Sequence, residues 1–204
     1  MLPRLVCARR GCGALTADPA SEFWQSLAPS MLRENLTGVA AEQSTELRIA
    51  WDAEELRVLF HSHDTNPWAT LTQRDGPLWE EEVVEVFLDP TGDGECYFEI
   101  EVNPLNTVLD LVLRRNRSGY KKDLSWNCES FRSSVAHTSV GWATEMSIPF
   151  RSLACDLPRQ GTIWRANFLR IDRPPNRDRE LSAWSPTHRP TFHAPERFGE
   201  LLFE

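Results

Sequence analysis

The chain has 204 residues, a net charge of −8, a hydrophobic share of 41% and a charged share of 25%. That composition suits a globular chain of one-domain size and excludes a disordered segment, a collagen-like repeat and a coiled coil. No apolar run reaches the ~18 residues of a membrane-spanning helix, and the acidic balance argues against a surface that grips nucleic-acid phosphates.

The N-terminal stretch from Met1 to Arg10 lacks the unbroken apolar run of a signal peptide. The expectation is a cytoplasmic chain unless a leader was removed. Around Phe23, Trp24 and Leu27, residues Ser21 to Ala28 carry a short helical pattern that Pro29 stops. Thr45 to Trp51 alternates, as do Leu56, Val58 and Phe60 against Arg57, Leu59 and His61; the turn Asp52-Ala53-Glu54-Glu55 makes the two runs a hairpin. The loop from Thr65 to Leu78 is long for a strand connection, and long loops in compact domains often carry function. In Val83 to Asp89, Val84, Val86 and Leu88 share one face and Glu85, Phe87 and Asp89 the other. The turn Pro90-Thr91-Gly92-Asp93-Gly94 leads to a second such run, with Phe98, Ile100 and Val102 opposed to Tyr97, Glu99 and Glu101. Strand patterns follow at Val108–Leu113, Phe131–His137, Trp142–Ile148, Ile163–Ile171 and Phe198–Phe203, with one helical turn at Pro149–Ala154. The expected fold is all-β, an antiparallel β-sandwich with one or two short helices, forming a single domain over residues 1–204.

Five cysteines, Cys7, Cys12, Cys96, Cys128 and Cys155, lack zinc-ligand spacing and read as free thiols. Eight Trp stand against two Tyr. Trp51, Trp142 and Trp164 lie in alternating runs and read as packing. Trp79 and Trp184 lie beside turns, where stacking on a ligand and capping the core are equally compatible with the spacing. Glu85, Glu99 and Glu101 could form the paired carboxyls of a glycosidase, or a solvated acidic face. Asp89 and Asp93 around the glycine turn suit a structural calcium ion, or a plain acidic turn. His61 and His63 share a strand face and could hold a metal with a third ligand, or stand unligated.

The run Pro77-Leu78-Trp79-Glu80-Glu81-Glu82-Val83-Val84-Glu85-Val86-Phe87-Leu88-Asp89-Pro90 resembles the signature of carbohydrate-binding module family nine, which shares a β-sandwich superfamily with DOMON domains. Tyr97 to Pro104, Asn167 to Arg173, Trp184-Ser185-Pro186 and Phe198-Gly199 continue the resemblance. It implies a non-catalytic module whose partner is a mono- or oligosaccharide, clamped between Trp79 and Trp184, with Glu85 and Arg170 reading hydroxyls. It also implies structural calcium, which favours Asp89 and Asp93. The family's amide three residues before the second tryptophan is Leu181 here. That departure leaves a sandwich that has lost sugar binding and acts as an interaction module as the alternative, with a glycosidase using paired Glu behind it. Haem binding through Met146 and His61 is a superfamily possibility of the same kind.

Overall fold

The computed structural model describes residues 2–11 and 13–204, so Cys12 and its spacing to Cys7 lie outside the described residues. The first strands in chain order are β1 (Arg4–Arg9), β2 (Ser30–Met31), β3 (Arg33–Glu34), β4 (Thr45–Trp51) and β5 (Glu55–His63). The middle of the chain forms β6 (Val83–Asp89), β7 (Cys96–Val102), β8 (Val108–Asn116), β9 (Gly119–Asp123) and β10 (Arg132–Thr138). The last are β11 (Gly141–Pro149), β12 (Ile163–Asp172), β13 (Glu180–Ala183) and β14 (Gly199–Phe203). One four-residue helix, α1 (Glu22–Gln25), is capped by the Ser21 hydroxyl, which accepts from the Trp24 amide. Single 3-10 turns occupy Leu78–Glu80, Phe150–Leu153 and Pro195–Arg197.

The strands make two layers. One runs β10-β11-β5-β4 and the other β14-β12-β6-β7-β8-β9. The strand β1 joins them: Arg4 to Cys7 pair with β14, and Ala8 and Arg9 pair with β4. Both of these pairings are parallel, and every other strand pairing among the described residues is antiparallel. The expected antiparallel sandwich therefore stands, with one strand shared between its layers.

Alternation explains the packing between layers. Val84, Val86 and Leu88 of β6, Ile100 and Val102 of β7, and Trp164 and Phe168 of β12 meet Leu56, Val58 and Phe60 of β5 across the interior. Trp51 and Trp142 fill the same core, as the sequence pattern implies. The outer face of the β12-β6-β7-β8 layer is not solvated, however. Val83, Phe87, Tyr97, Leu109, Leu111, Leu169 and Ile171 form a second apolar cluster there, closed by Phe192 and Phe198 of the 184–198 segment. All seven residues of β6 are consequently buried. The acids on that outer face are held in a largely dry environment.

Chain parity on β12 decides where Arg170 goes. Trp164, Ala166 and Phe168 point into the interior, so Arg170, two residues further, does too. Its guanidinium donates to Asp64 Oδ2 at 2.7 Å, Asp172 Oδ1 at 3.0 Å and the His63 carbonyl at 2.9 Å. It also reaches the Thr45 hydroxyl at 3.3 Å, so one side chain of the second layer ties down the end of the β4–β5 hairpin.

Trp184 follows β13, and its amide donates to the Phe168 carbonyl. Its ring meets Phe168 edge-on at 5.9 Å and lies over Gly199, where an added Cβ would fall 2.3 Å from the indole. Gly199→Ala is expected to destabilise the protein by about 1–3 kcal/mol, the range of an overpacked core. A melting temperature unchanged from wild type would show that the indole is free to move.

Candidate functional site

A cleft of about 210 Å³ opens on the outer face of the β6–β7–β9 layer. Trp79, Phe192, Leu181 and Ile171 give it apolar walls, and Glu85, Glu99 and Glu101 line it from the sheet. The antiparallel register sets Glu85 of β6 directly opposite Glu101 of β7, and Glu99 lies on the same face two residues before Glu101. Ligand-capable oxygens of the three carboxyls lie within 4.8 Å of one another. All three are nearly inaccessible, with Glu101 at 0% exposure.

The long 65–78 loop delivers Trp79. The Glu81 carboxylate accepts from the amides of Thr70 at 2.7 Å and Leu71 at 3.0 Å, and from the Thr70 hydroxyl. The Trp68 amide donates to Glu82 at 3.3 Å, and Asn103 donates to the Leu71 carbonyl at 2.8 Å. Arg173 donates to the Trp79 carbonyl itself at 3.2 Å. Backbone groups of a loop without sheet partners are thus satisfied by side chains.

Charge in the cleft is unevenly matched. The Lys122 ammonium lies 3.6 Å from Glu99 and 4.8 Å from the centre of the Trp79 ring. His193 Nδ1 shares a hydrogen bond with the Tyr97 hydroxyl at 2.9 Å, and the ring stacks on Phe87. Burial pushes the His193 pKa below its ordinary value. Burial raises Glu85 and Glu101 well above the usual carboxylate range, and repulsion from the neighbouring glutamates adds to it. Both Glu101 oxygens and Glu99 Oε2 are buried without a hydrogen-bond partner among the described residues.

Of the residues singled out from sequence, Trp79 and Glu85 meet in this cleft. Arg170 and Trp184 lie on the other side of the sheet, in the interior, because they continue the Phe168 face and not the Leu169 face. The expected grouping of four is corrected on this point. The aromatic that faces the cleft with Trp79 is Phe192, which sits in a polar-looking loop; its only sequence signal is a lone aromatic between Thr191 and His193. Lys122 lies on the short strand β9, which has no clear alternation. Leu181 lines the cleft as an apolar wall.

The calcium expectation falls on the turn between β6 and β7. Asp89 accepts from the Thr91 hydroxyl and the amides of Gly92 and Gly94, so the turn's own donors occupy its oxygens. Asp93 accepts from the Glu95 amide. His61 and His63 do share a face, with ring centres 5.5 Å apart. Met146 points into the interior core, away from the His61 face, so the two do not form an axial pair.

A second acidic cluster, Asp64, Glu82 and Asp172, surrounds the Arg170 guanidinium inside the sandwich. Burial, reinforced by the Asp64 charge, pushes Glu82 up to about 9. The Arg170 guanidinium therefore faces acids of which Glu82 stays protonated at neutral pH.

The family model described as "Carbohydrate family 9 binding domain-like" matches residues 18–204. Endo-1,4-beta-xylanase A of Thermoanaerobacterium saccharolyticum is 26% identical over 142 residues, 70% of this chain but 11% of that enzyme. The chain thus aligns with only about a ninth of the curated relative it matches. A protein inferred to bind carbohydrate, from Bacteroides uniformis ATCC 8492, superposes with a TM-score of 0.81 at 21% identity, over 98% of this chain and 99% of that one. A carbohydrate-binding module family 9 from Caldicellulosiruptor kristjanssonii, solved in complex with cellotriose, gives 0.75 at 17% identity over 99% and 94%. The same module in complex with glucose gives 0.75 at 17% over 99% and 96%.

Glu82 yields a pH prediction. Its pKa in the folded state, about 9, lies above the ordinary 4.5, so the fold binds this proton more tightly than the unfolded chain does. The stabilisation is fully present below pH ~4.5 and is lost as pH rises through about 9. Stability should fall between those limits, and Glu82→Gln should flatten the fall. Parallel slopes for the two proteins in denaturant titrations across that range would contradict it.

Proposed function

The chain belongs to the carbohydrate family 9 binding domain-like family, and from that membership we propose that it binds a mono- or oligosaccharide in the Trp79 cleft without making or breaking a bond. The observation that carries the reading is the pairing of two aromatic walls, Trp79 and Phe192, with hydrogen-bonding carboxyls in a dry recess. Aromatic faces stack on the apolar C–H surface of a sugar ring, and buried polar groups fix its orientation through the hydroxyls. A protonated carboxyl both donates and accepts, so Glu85 and Glu101, with their raised pKa values, suit hydroxyl partners. The family neighbours in complex with cellotriose and glucose support a saccharide as the general ligand class.

In this reading Trp184 and Arg170 are positioning residues. Trp184 wedges β13 against Gly199, and Arg170 anchors the Asp64 end of the loop that carries Trp79. Membership in a binding-module family supports binding over the acid–nucleophile pair of a glycosidase. The interaction-module reading draws on two observations, the Leu181 wall and the Lys122 ammonium over the Trp79 face. A sugar that stacks on that face displaces Lys122 from the ring.

Calorimetric titration with glucose, cellobiose and cellotriose should give saturable heat and quench tryptophan fluorescence. Trp79→Ala and Phe192→Ala should each weaken binding by at least about tenfold, the loss of a stacking anchor. Trp184→Phe should lower the melting temperature and leave affinity close to wild type. No heat and no fluorescence change with any saccharide would reject the proposal in favour of an interaction module. Turnover of a chromogenic glycoside would reject its non-catalytic part.

A further inference from the structure

The acidic lining is more than hydroxyl recognition requires. Three carboxyls converge in one recess, and three of their oxygens, Glu99 Oε2 and both of Glu101, are buried with no hydrogen-bond partner among the described residues, His193 Nδ1 standing 3.9 Å from Glu99 Oε2. A neutral hydroxyl is matched by one or two such groups, whereas three carboxyls converge here. Countercharge reaches the recess from three elements. Strand β9 gives Lys122 and the loop before β13 gives Arg179, both exposed. The 184–198 segment gives His193, whose proton affinity is lowered by burial. From β7, Tyr97 spends its hydroxyl on His193, and β8 presents leucines to this face.

We propose that the preferred ligand is an amino sugar, with its ammonium group held by Glu85, Glu99 and Glu101 and its ring against Trp79. This rests on the saccharide-binding reading above and narrows its ligand class. An ammonium group has three N–H donors, one for each carboxyl. Three acceptors no more than 4.8 Å apart have a central point within about 2.8 Å of each, the length of a charge-assisted N–H···O bond. The protein already places an ammonium in this surrounding: Lys122 lies 4.8 Å over Trp79 and 3.6 Å from Glu99. Lys122 is exposed, so a ligand ammonium can take over its role at greater depth. A divalent metal fits the recess less well. Calcium takes six to eight oxygens, and here the carboxyls share the space with Ile171, Leu181 and Phe192 and with two side-chain cations. Proton balance follows directly. Any carboxyl that is neutral before binding ionises against the ammonium and gives its proton to the buffer.

The experiment titrates the full chain with glucosamine and its β-1,4-linked disaccharide, beside glucose, cellobiose and the N-acetylated disaccharide. Amino sugars should bind at least about tenfold tighter than their neutral counterparts near pH 7, the scale of one charge-assisted contact. The observed heat should vary with the ionisation enthalpy of the buffer, which reports proton release and needs no variant. Glu101→Gln, its fold checked by circular dichroism and melting, should lower the ratio of amino-sugar to cellobiose affinity several-fold. Neutral sugars binding as well as amino sugars, with no proton release, would overturn the inference and leave the broader reading intact. No binding of any saccharide would overturn both. Saturable calcium binding that Glu101→Gln abolishes, with no amino-sugar preference, would reassign the recess to a metal.

Discussion

The buried Arg170 guanidinium is the contact on which the architecture of this protein turns. It is wholly inaccessible and meets Asp64 and Asp172, with Glu82 completing the acidic surround. Burying such a cluster costs solvation free energy that only close, satisfied geometry offsets. Removing one member of a buried pair typically costs about 3–5 kcal/mol, because the remaining charge is stranded. Here the pairing also does mechanical work. Arg170 comes from the cleft-bearing layer, while Asp64 and the His63 carbonyl follow the β4–β5 hairpin of the other layer. Glu82, beside them, receives the Trp68 amide and so fixes the loop that ends at Trp79. An interaction inside the sandwich thereby sets the position of an aromatic on its outside.

The cleft depends on a second constraint, burial of the same sheet on both faces. Most sandwich layers leave one face to water, and acids on that face would be solvated and ordinary. In this chain Phe87, Tyr97, Phe192 and Phe198 build a second cluster on the outer face. Glu85, Glu99 and Glu101 are crowded at its edge, with little water to screen them. Their raised proton affinities and unpartnered oxygens follow from that crowding. The recess is poised to gain from any ligand that brings donors or positive charge, which is the physical basis for selectivity at this site.

Much of this was legible in the sequence. Period-two alternation identifies β4 to β7, β11 and β12, and the glycine-rich turn fixes the β6–β7 hairpin whose register pairs Glu85 with Glu101. Trp79 stands out because it lies beside a turn with no alternation of its own. Arg170 was readable as well, since it shares parity with Phe168 and Trp164, but that parity pointed inward. The short strand β9 and the 184–198 loop, which bring Lys122, Phe192 and His193, lack any period and gave little signal.

Sequence by itself determined which residues share a face, because side chains alternate along a strand whatever surrounds it. It could not determine that the acid-bearing face of the β6–β7 layer is covered as well, because Glu85, Glu99 and Glu101 read there as a solvated face. Only the tertiary structure decided that. Strand β1 joins the two layers and directs one face of the cleft-bearing layer inward, which turns Arg170 and Trp184 into the interior. The returning C-terminal loop then covers the opposite face and brings Phe192 into the cleft with Trp79, a contact between residues too distant in the chain for any local pattern to encode.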